Sequence, residues 1–204
     1  MQYRNTQLLA SLYRQSETTI RDPLWKDIKL SRAFKSILLT PTVQKLGRIK
    51  QLGPIFHLYP GAVHTRLDHS LGVYHIGFSI LQSLFGQNRE LPITAEGALT
   101  FLCACLLHDI GHFPFAHSLK ELPLASHEAI ACTMIREDTV LHKAIEMAGL
   151  NAERVGSIID EHQETTDEEI LLYRSILSGT LDPDKLDYLN RDAFFCGVPY
   201  GTQD

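Results

Sequence analysis

Ten histidines in 204 residues are many, and one of them stands directly beside an aspartate at the end of an apolar run. In LLHDIGHFPFAH (106–117), His108-Asp109 falls where Gly111 and Pro114 break a helix. Adjacent residues of a regular helix point about 100° apart, so the two side chains converge only where the backbone turns. A cation suits a helix C-terminus, whereas a carboxylate there needs something positive to hold it. A metal ion is the natural candidate. His69 opens another helix within HTRLDHSLG (64–72). In LDPDKLDYLNRDAFFCGVPYG (181–201), Asp184, Tyr188 and Arg191 fall at i, i+4 and i+7, flanked by Lys185 and Asp192. That face suits a metal beside a phosphate chain, with Leu186, Leu189 and Ala193 expected to face the core. His69, His108, Asp109 and Asp184 together form a mixed nitrogen and oxygen donor set. Such a set fits Fe, Mn, Zn or Ni better than Mg, which prefers oxygen. His57, His64, His75, His142 and His162 show no comparable arrangement and read as surface or satisfied core histidines.

The elements that must position these groups are helical almost throughout. Residues 1–17 suit a short amphipathic lead-in helix. The segment 18–30 surrounds the turn signal Asp22-Pro23 and suits a small β-hairpin. Ser31 can cap a helix to Leu39, and Thr40 can cap one beginning at Pro41. A loop from Gly53 to Thr65 follows. The helix resuming near Asp68 carries Leu71, Tyr74, Phe78, Leu81 and Phe85, spacing that predicts one buried stripe. Residues 94–109 are apolar nearly all round and predict a central helix. Further helices fit 126–137, 140–148, 151–162, 167–178 and 183–195, the last capped by Asp182 with Pro183 in its first turn. The expected fold is all-α, one domain over 1–204, with at most a small N-terminal hairpin.

Composition narrows the function classes. A hydrophobic fraction of 44% and a charged fraction of 21% are ordinary for a soluble globular chain. The net charge of −5 argues against a nucleic-acid partner, which needs clustered basic charge. It leaves room for a small anionic substrate at a locally basic site. The most apolar stretch, Gly97–Leu107, contains no charge but falls well short of the ~20 residues of a membrane span. No signal peptide is visible. Cys103, Cys105, Cys132 and Cys196 form no C-x-x-C pair and read as reduced thiols of a cytoplasmic protein.

The pattern of His69, His108-Asp109 and Asp184 resembles the HD-domain superfamily of metal-dependent phosphohydrolases. IKQLG (49–53), YPGAVHTRLDHSLGV (59–73), LLHDIGHFPFAH (106–117) and LDPDKLDYLNRD (181–192) resemble its deoxynucleoside triphosphate triphosphohydrolase branch, over roughly residues 18–201. The resemblance implies an HD helical bundle. It also implies cleavage of a dNTP between the 5′ oxygen and the α-phosphorus, releasing deoxynucleoside and triphosphate. By resemblance, His69, His108, Asp109 and Asp184 hold a divalent metal. His112, His117 and His127 line the α-phosphate, with His117 as general acid. Arg66, Lys185, Tyr188 and Arg191 meet triphosphate and sugar, Gln51 and Asp192 hold the 3′-hydroxyl, and Leu52 packs near the 2′ carbon. Homo-oligomers, dimers or tetramers, are likewise implied.

Two departures from the branch bear on activity. Where relatives carry an acidic residue three positions after the histidine matching His117, this chain has Lys120, with Glu121 next. A lysine there disfavours a protonated imidazole unless Glu121 substitutes. Relatives also continue past the motif matching Gly197–Gly201, into a region with another phosphate-binding arginine and a tyrosine against the sugar. Three readings follow: a dNTP triphosphohydrolase, a hydrolase of nucleoside monophosphates or other phosphoesters, or a nucleotide-binding regulatory module with little turnover.

Overall fold

A computed structural model describes residues 16–86, 92–114 and 125–199. The chain opens with a hairpin in which β1 (Ser16–Asp22) pairs antiparallel with β2 (Lys26–Ser31), Ile20 opposite Ile28. Ser16 and Glu17 therefore belong to a strand; the rest of the expected lead-in helix lies outside the described residues. Ile28 and Leu30 point into the core, as period-2 alternation requires of a strand packed on one face. The Asp22 carboxylate closes the turn by accepting from the amides of Leu24 and Trp25, both at 2.8 Å.

Ser31 caps α1 (Arg32–Leu38), its hydroxyl accepting from the Phe34 amide. Helix α2 (Pro41–Gln44) follows, then 3-10 turns at Lys45–Arg48 and Gly53–His57. The loop that follows is not free: Gln51 N donates to His64 O (3.1 Å) and Arg66 N to Ile49 O (2.9 Å). These bonds set Gln51 and Leu52 beside the start of α3 (Arg66–Gly86). Thr65 and Asp68 cap α3 reciprocally, each side chain accepting from the other's amide.

The expectation of one buried stripe on α3 is corrected. Its middle is buried nearly all round, His69 and Ser70 included, Arg66 at its start is buried too, and Phe78 is only half-buried. The reason is tertiary: α3 packs against both α4 (Ala95–Leu107) and α9 (Pro183–Cys196) and also touches β2. Thr94 caps α4, which is buried from Gly97 to Leu107 apart from half-buried Leu99. Helices α5 (His127–Glu137), α6 (Thr139–Met147), α7 (Ala152–Ile159) and α8 (Glu168–Leu177) complete the bundle. Side chains of Ser126, Asp138, Asn151, Asp167 and Asp182 cap α5 to α9 in turn. All four cysteines are free thiols, three of them buried. Among the described residues no helix is long and apolar enough to cross a membrane.

Gly111 is where the turn after α4 meets α5. A Cβ there would lie 2.0 Å from the His127 carbonyl oxygen and 2.8 Å from the Ala131 nitrogen, backbone atoms that cannot swing aside. Gly111→Ala should therefore lower stability by about 1–3 kcal/mol, read as a lower Tm and a lower denaturation midpoint with unchanged m-value.

Candidate metal centre

Helix α4 stops at Leu107, and the chain turns through His108–Gly111, with Ile110 N donating to Leu107 O and His112 N to Asp109 O. Lys45 braces the turn by donating from Nζ to the Ile110 carbonyl (2.8 Å). His108 donates from Nδ1 to the Cys105 carbonyl (2.9 Å), which fixes its tautomer and leaves Nε2 as a lone-pair nitrogen. That Nε2 is buried without a hydrogen-bond partner, 3.5 Å from Asp109 Oδ1 and 3.8 Å from Asp184 Oδ1. His69, from α3, places Nε2 2.9 Å from Asp184 Oδ1 and 3.9 Å from Asp109 Oδ2. Ligand atoms of His69, His108 and Asp109 all lie within 4.8 Å of one another, with Asp184 of α9 closing the group.

A divalent ion fits these residues: the His108 lone pair is orphaned in the interior, and two imidazoles and two carboxylates converge on it. Asp109 also connects to a second group, Asp109, His112 and His127. Its Oδ1 lies 3.2 Å from His112 Nδ1, while its Oδ2 accepts from Arg66 Nη1 at 2.6 Å. The His112 and His127 rings stand 4.0 Å apart between centroids.

The electrostatics follow from burial and neighbours. Burial by itself would lower the His69 pKa, but hydrogen bonds to Asp184 and Asp187 and the charge of Asp109 raise it to about 10. Burial likewise opposes a charged His108, and the Asp109 and Asp184 carboxylates outweigh it, raising its pKa. Asp109 and Asp184 go well below the usual carboxylate range: burial pushes them up, but the surrounding histidines, with Arg66 at Asp109, overcome it. His112 is the opposite case. Burial dominates and, helped by Arg66, His127 and His108 against Asp109, lowers it to about 3, leaving a neutral ring.

The centre opens into a cavity of about 610 Å³. Of the expected substrate contacts, Gln51, Leu52, Arg66, Tyr188 and Asp192 line it, as do His112 and His127. His117, with Lys120 and Glu121, lies outside the described residues. Two residues expected at the substrate are placed apart from the cavity. Arg191 does not reach the cavity: fully buried, it pairs with Asp187 (2.8 and 3.0 Å) and with Asp22 (2.8 Å). Lys185 turns aside to Asp182 (2.5 Å) and the Gly179 carbonyl (2.8 Å). The face of α9 differs accordingly: Pro183, Asp187, Arg191 and Ala193 are buried, Leu186 is half-buried and Leu189 is exposed. A larger open groove of about 970 Å³ between α1 and α6 is lined, among the described residues, by no His, Asp, Glu or Cys.

Sequence reading missed four residues that support the site. Asp187 accepts from His69 Nδ1 (2.8 Å) and from Trp25 Nε1, and Asp22 holds Arg191. His64, its side chain fully buried, holds Asp192 at 2.8 Å and stacks on Phe195. Asp187, one turn beyond Asp184, was the only one with a signal in spacing.

The HD-domain family profile matches residues 66–192, the span from the start of α3 to Asp192. The chain belongs to the HD-domain family. An uncharacterised Mycoplasma pneumoniae protein is 32% identical over 90% of this chain and 45% of its own length. The chicken deoxynucleoside triphosphate triphosphohydrolase SAMHD1 is 31% identical over 87% of this chain and 34% of its own. A solved phosphohydrolase from Bacteroides thetaiotaomicron superposes with TM-score 0.73 at 33% identity, over 88% of this chain and 42% of that one. This HD-domain chain thus spans less than half the length of the relatives it matches.

Because coordination needs a neutral His69, and its raised pKa keeps the ring protonated near pH 7, metal uptake should expel about one proton. Mn²⁺ affinity should therefore fall as pH is lowered from 8 to 6. Calorimetry in buffers of differing ionisation enthalpy reads both the proton count and the slope.

Proposed function

We propose that this HD-domain protein is a metal-dependent phosphohydrolase that cleaves deoxynucleoside triphosphates to deoxynucleoside and triphosphate. The observation that carries the reading is one cavity lined by metal-centre residues, by His112 and His127, and by Gln51, Tyr188 and Asp192. Its volume falls in the ~300–1,000 Å³ range of small-molecule sites.

A divalent ion held by His69, His108, Asp109 and Asp184 supplies Lewis acidity toward a phosphoryl oxygen and lowers the pKa of water. The chain's own residues do the rest. Arg66 offers a guanidinium from the floor of the cavity, suited to phosphate oxygens. His112 and His127 flank the reacting phosphoryl, and His117 is assigned the proton for the leaving 5′ oxygen. Gln51 and Asp192 are placed for a sugar hydroxyl, Asp192 being held in position by His64. Similarity to the named triphosphohydrolase supports the substrate class.

A second reading has a specific observation behind it. With Lys185 and Arg191 turned away, the lysines and arginines lining the cavity among the described residues are Lys50 and Arg66. Two such cations suit a monophosphate or other phosphoester better than a triphosphate chain.

Product analysis separates the readings. Incubated with each dNTP and Mn²⁺, Fe²⁺, Zn²⁺, Ni²⁺ or Mg²⁺, the protein should release deoxynucleoside and intact triphosphate, resolved by ion exchange. Asp109→Ala should lower kcat/KM at least about a thousandfold, the several kcal/mol that a Lewis acid contributes. Pyrophosphate or orthophosphate as the product, or turnover of monophosphates alone, overturns the triphosphohydrolase assignment.

A further inference from the structure

We infer that the turn of the N-terminal hairpin is an outer brace of the metal centre, with Asp22 and Trp25 acting as positioning residues for His69. The inference rests on the metal-centre reading above and extends it to a part of the chain lying before the span matched by the family profile.

His69 has its Nε2 toward Asp184 and its Nδ1 2.8 Å from Asp187 Oδ2. A carboxylate on the second ring nitrogen fixes the tautomer and the ring angle of a metal-ligating histidine. Asp187 is itself fully buried and is gripped from two further directions. Arg191 donates from Nε and Nη2, and Trp25 donates from Nε1 to the oxygen that His69 leaves. Arg191 is in turn held by Asp22 at 2.8 Å, and the same Asp22 carboxylate shapes the turn that aims Trp25. The chain of contacts from hairpin to His69 is continuous, and every charged member of it is at most 5% exposed.

Helix α3 is cut to receive this group. A Cβ on Gly72, one turn beyond His69, would fall 1.8 Å from Asp187 Oδ1 and 2.7 Å from Arg191 Nη2. The Asp187–Arg191 pair therefore occupies the space directly beside the His69 turn. Displacing Asp22 or Trp25 frees that pair to shift, and His69 with it. Asp187 also needs every donor it has, because a buried carboxylate is tolerated only when fully paired.

The test uses Mn²⁺ alone as probe, on the full chain, with affinity by calorimetry and Tm of the metal-stripped protein measured in parallel. Trp25→Phe removes the Nε1 donor and keeps a ring against His75, on which Trp25 stacks at 6.0 Å. Asp22→Asn removes the charge opposite Arg191 and keeps an acceptor for the turn amides. Each should weaken Mn²⁺ binding about tenfold to a hundredfold, the range for outer ligands of metal-bound histidines. Arg21→Ala, which breaks only an exposed pair with Asp27, should bind as the wild type does. Wild-type affinity in Trp25→Phe and Asp22→Asn, with only Tm lowered, overturns the inference and leaves the metal centre standing. Equal weakening in Arg21→Ala also overturns it. A wild type that takes up no Mn²⁺, or an Asp109→Ala that takes it up equally well, overturns the metal-centre reading and this inference together.

Discussion

A carboxylate sealed at the end of an apolar helix has to be neutralised from nearby, and most of this site follows from how that is done for Asp109. The side chain is 6% exposed and sits where the carbonyls at the end of α4 already make the field negative. Uncompensated, such a charge costs several kcal/mol. The compensation is drawn from three directions: Arg66 and His69 from α3, His108 and His112 from its own turn, and His127 beyond. A metal ion adds to a set of positive and polar partners already in place. The convergence of helices α3, α4 and α5 on one turn is thus the same requirement as the convergence of ligands.

Arg66 has two competing uses. Its Nη1 lies 2.6 Å from Asp109, yet it lines the cavity where an anionic substrate would sit. The more of the Asp109 charge a metal takes up, the less Arg66 is needed there and the more it can give to a phosphate. His112, neutral and 3.2 Å from Asp109, suits hydrogen bonding in that space more than ion pairing.

Much of the fold was legible because its signals are local. Ser31 and Asp182 cap the helices they precede, as their types and positions suggest, and Asp22-Pro23 marked the hairpin turn; Thr40 precedes α2 but makes no side-chain capping bond. The His108-Asp109 pair was legible because Gly111 and Pro114 announce where the helix must end. What was not legible depends on partners distant in sequence. His64 looked like any core histidine, since its partner Asp192 is 128 residues away. The burial around the middle of α3 was hidden because polar His69 is buried against carboxylates of α9 and the turn rather than against apolar side chains.

Helix α9 shows why spacing alone could not separate ligand from brace. At about 100° per residue, Asp187 and Arg191 lie on one flank of Asp184, and Tyr188 and Asp192 lie on the other. Both flanks are polar, so no hydrophobic pattern says which is inside; the buried acceptor and donor on the hairpin and α3 decide it. Buried ion pairs add little net stability, but breaking one strands a charge at a cost of about 3–5 kcal/mol. Turning α9 by one flank would strand Arg191 and Asp187 and leave Asp22 and His69 without their partners. The pair therefore contributes less to holding the bundle together than to excluding the wrong rotation, and the right rotation is the one that sets Asp184 at the centre with Tyr188 and Asp192 facing the cavity.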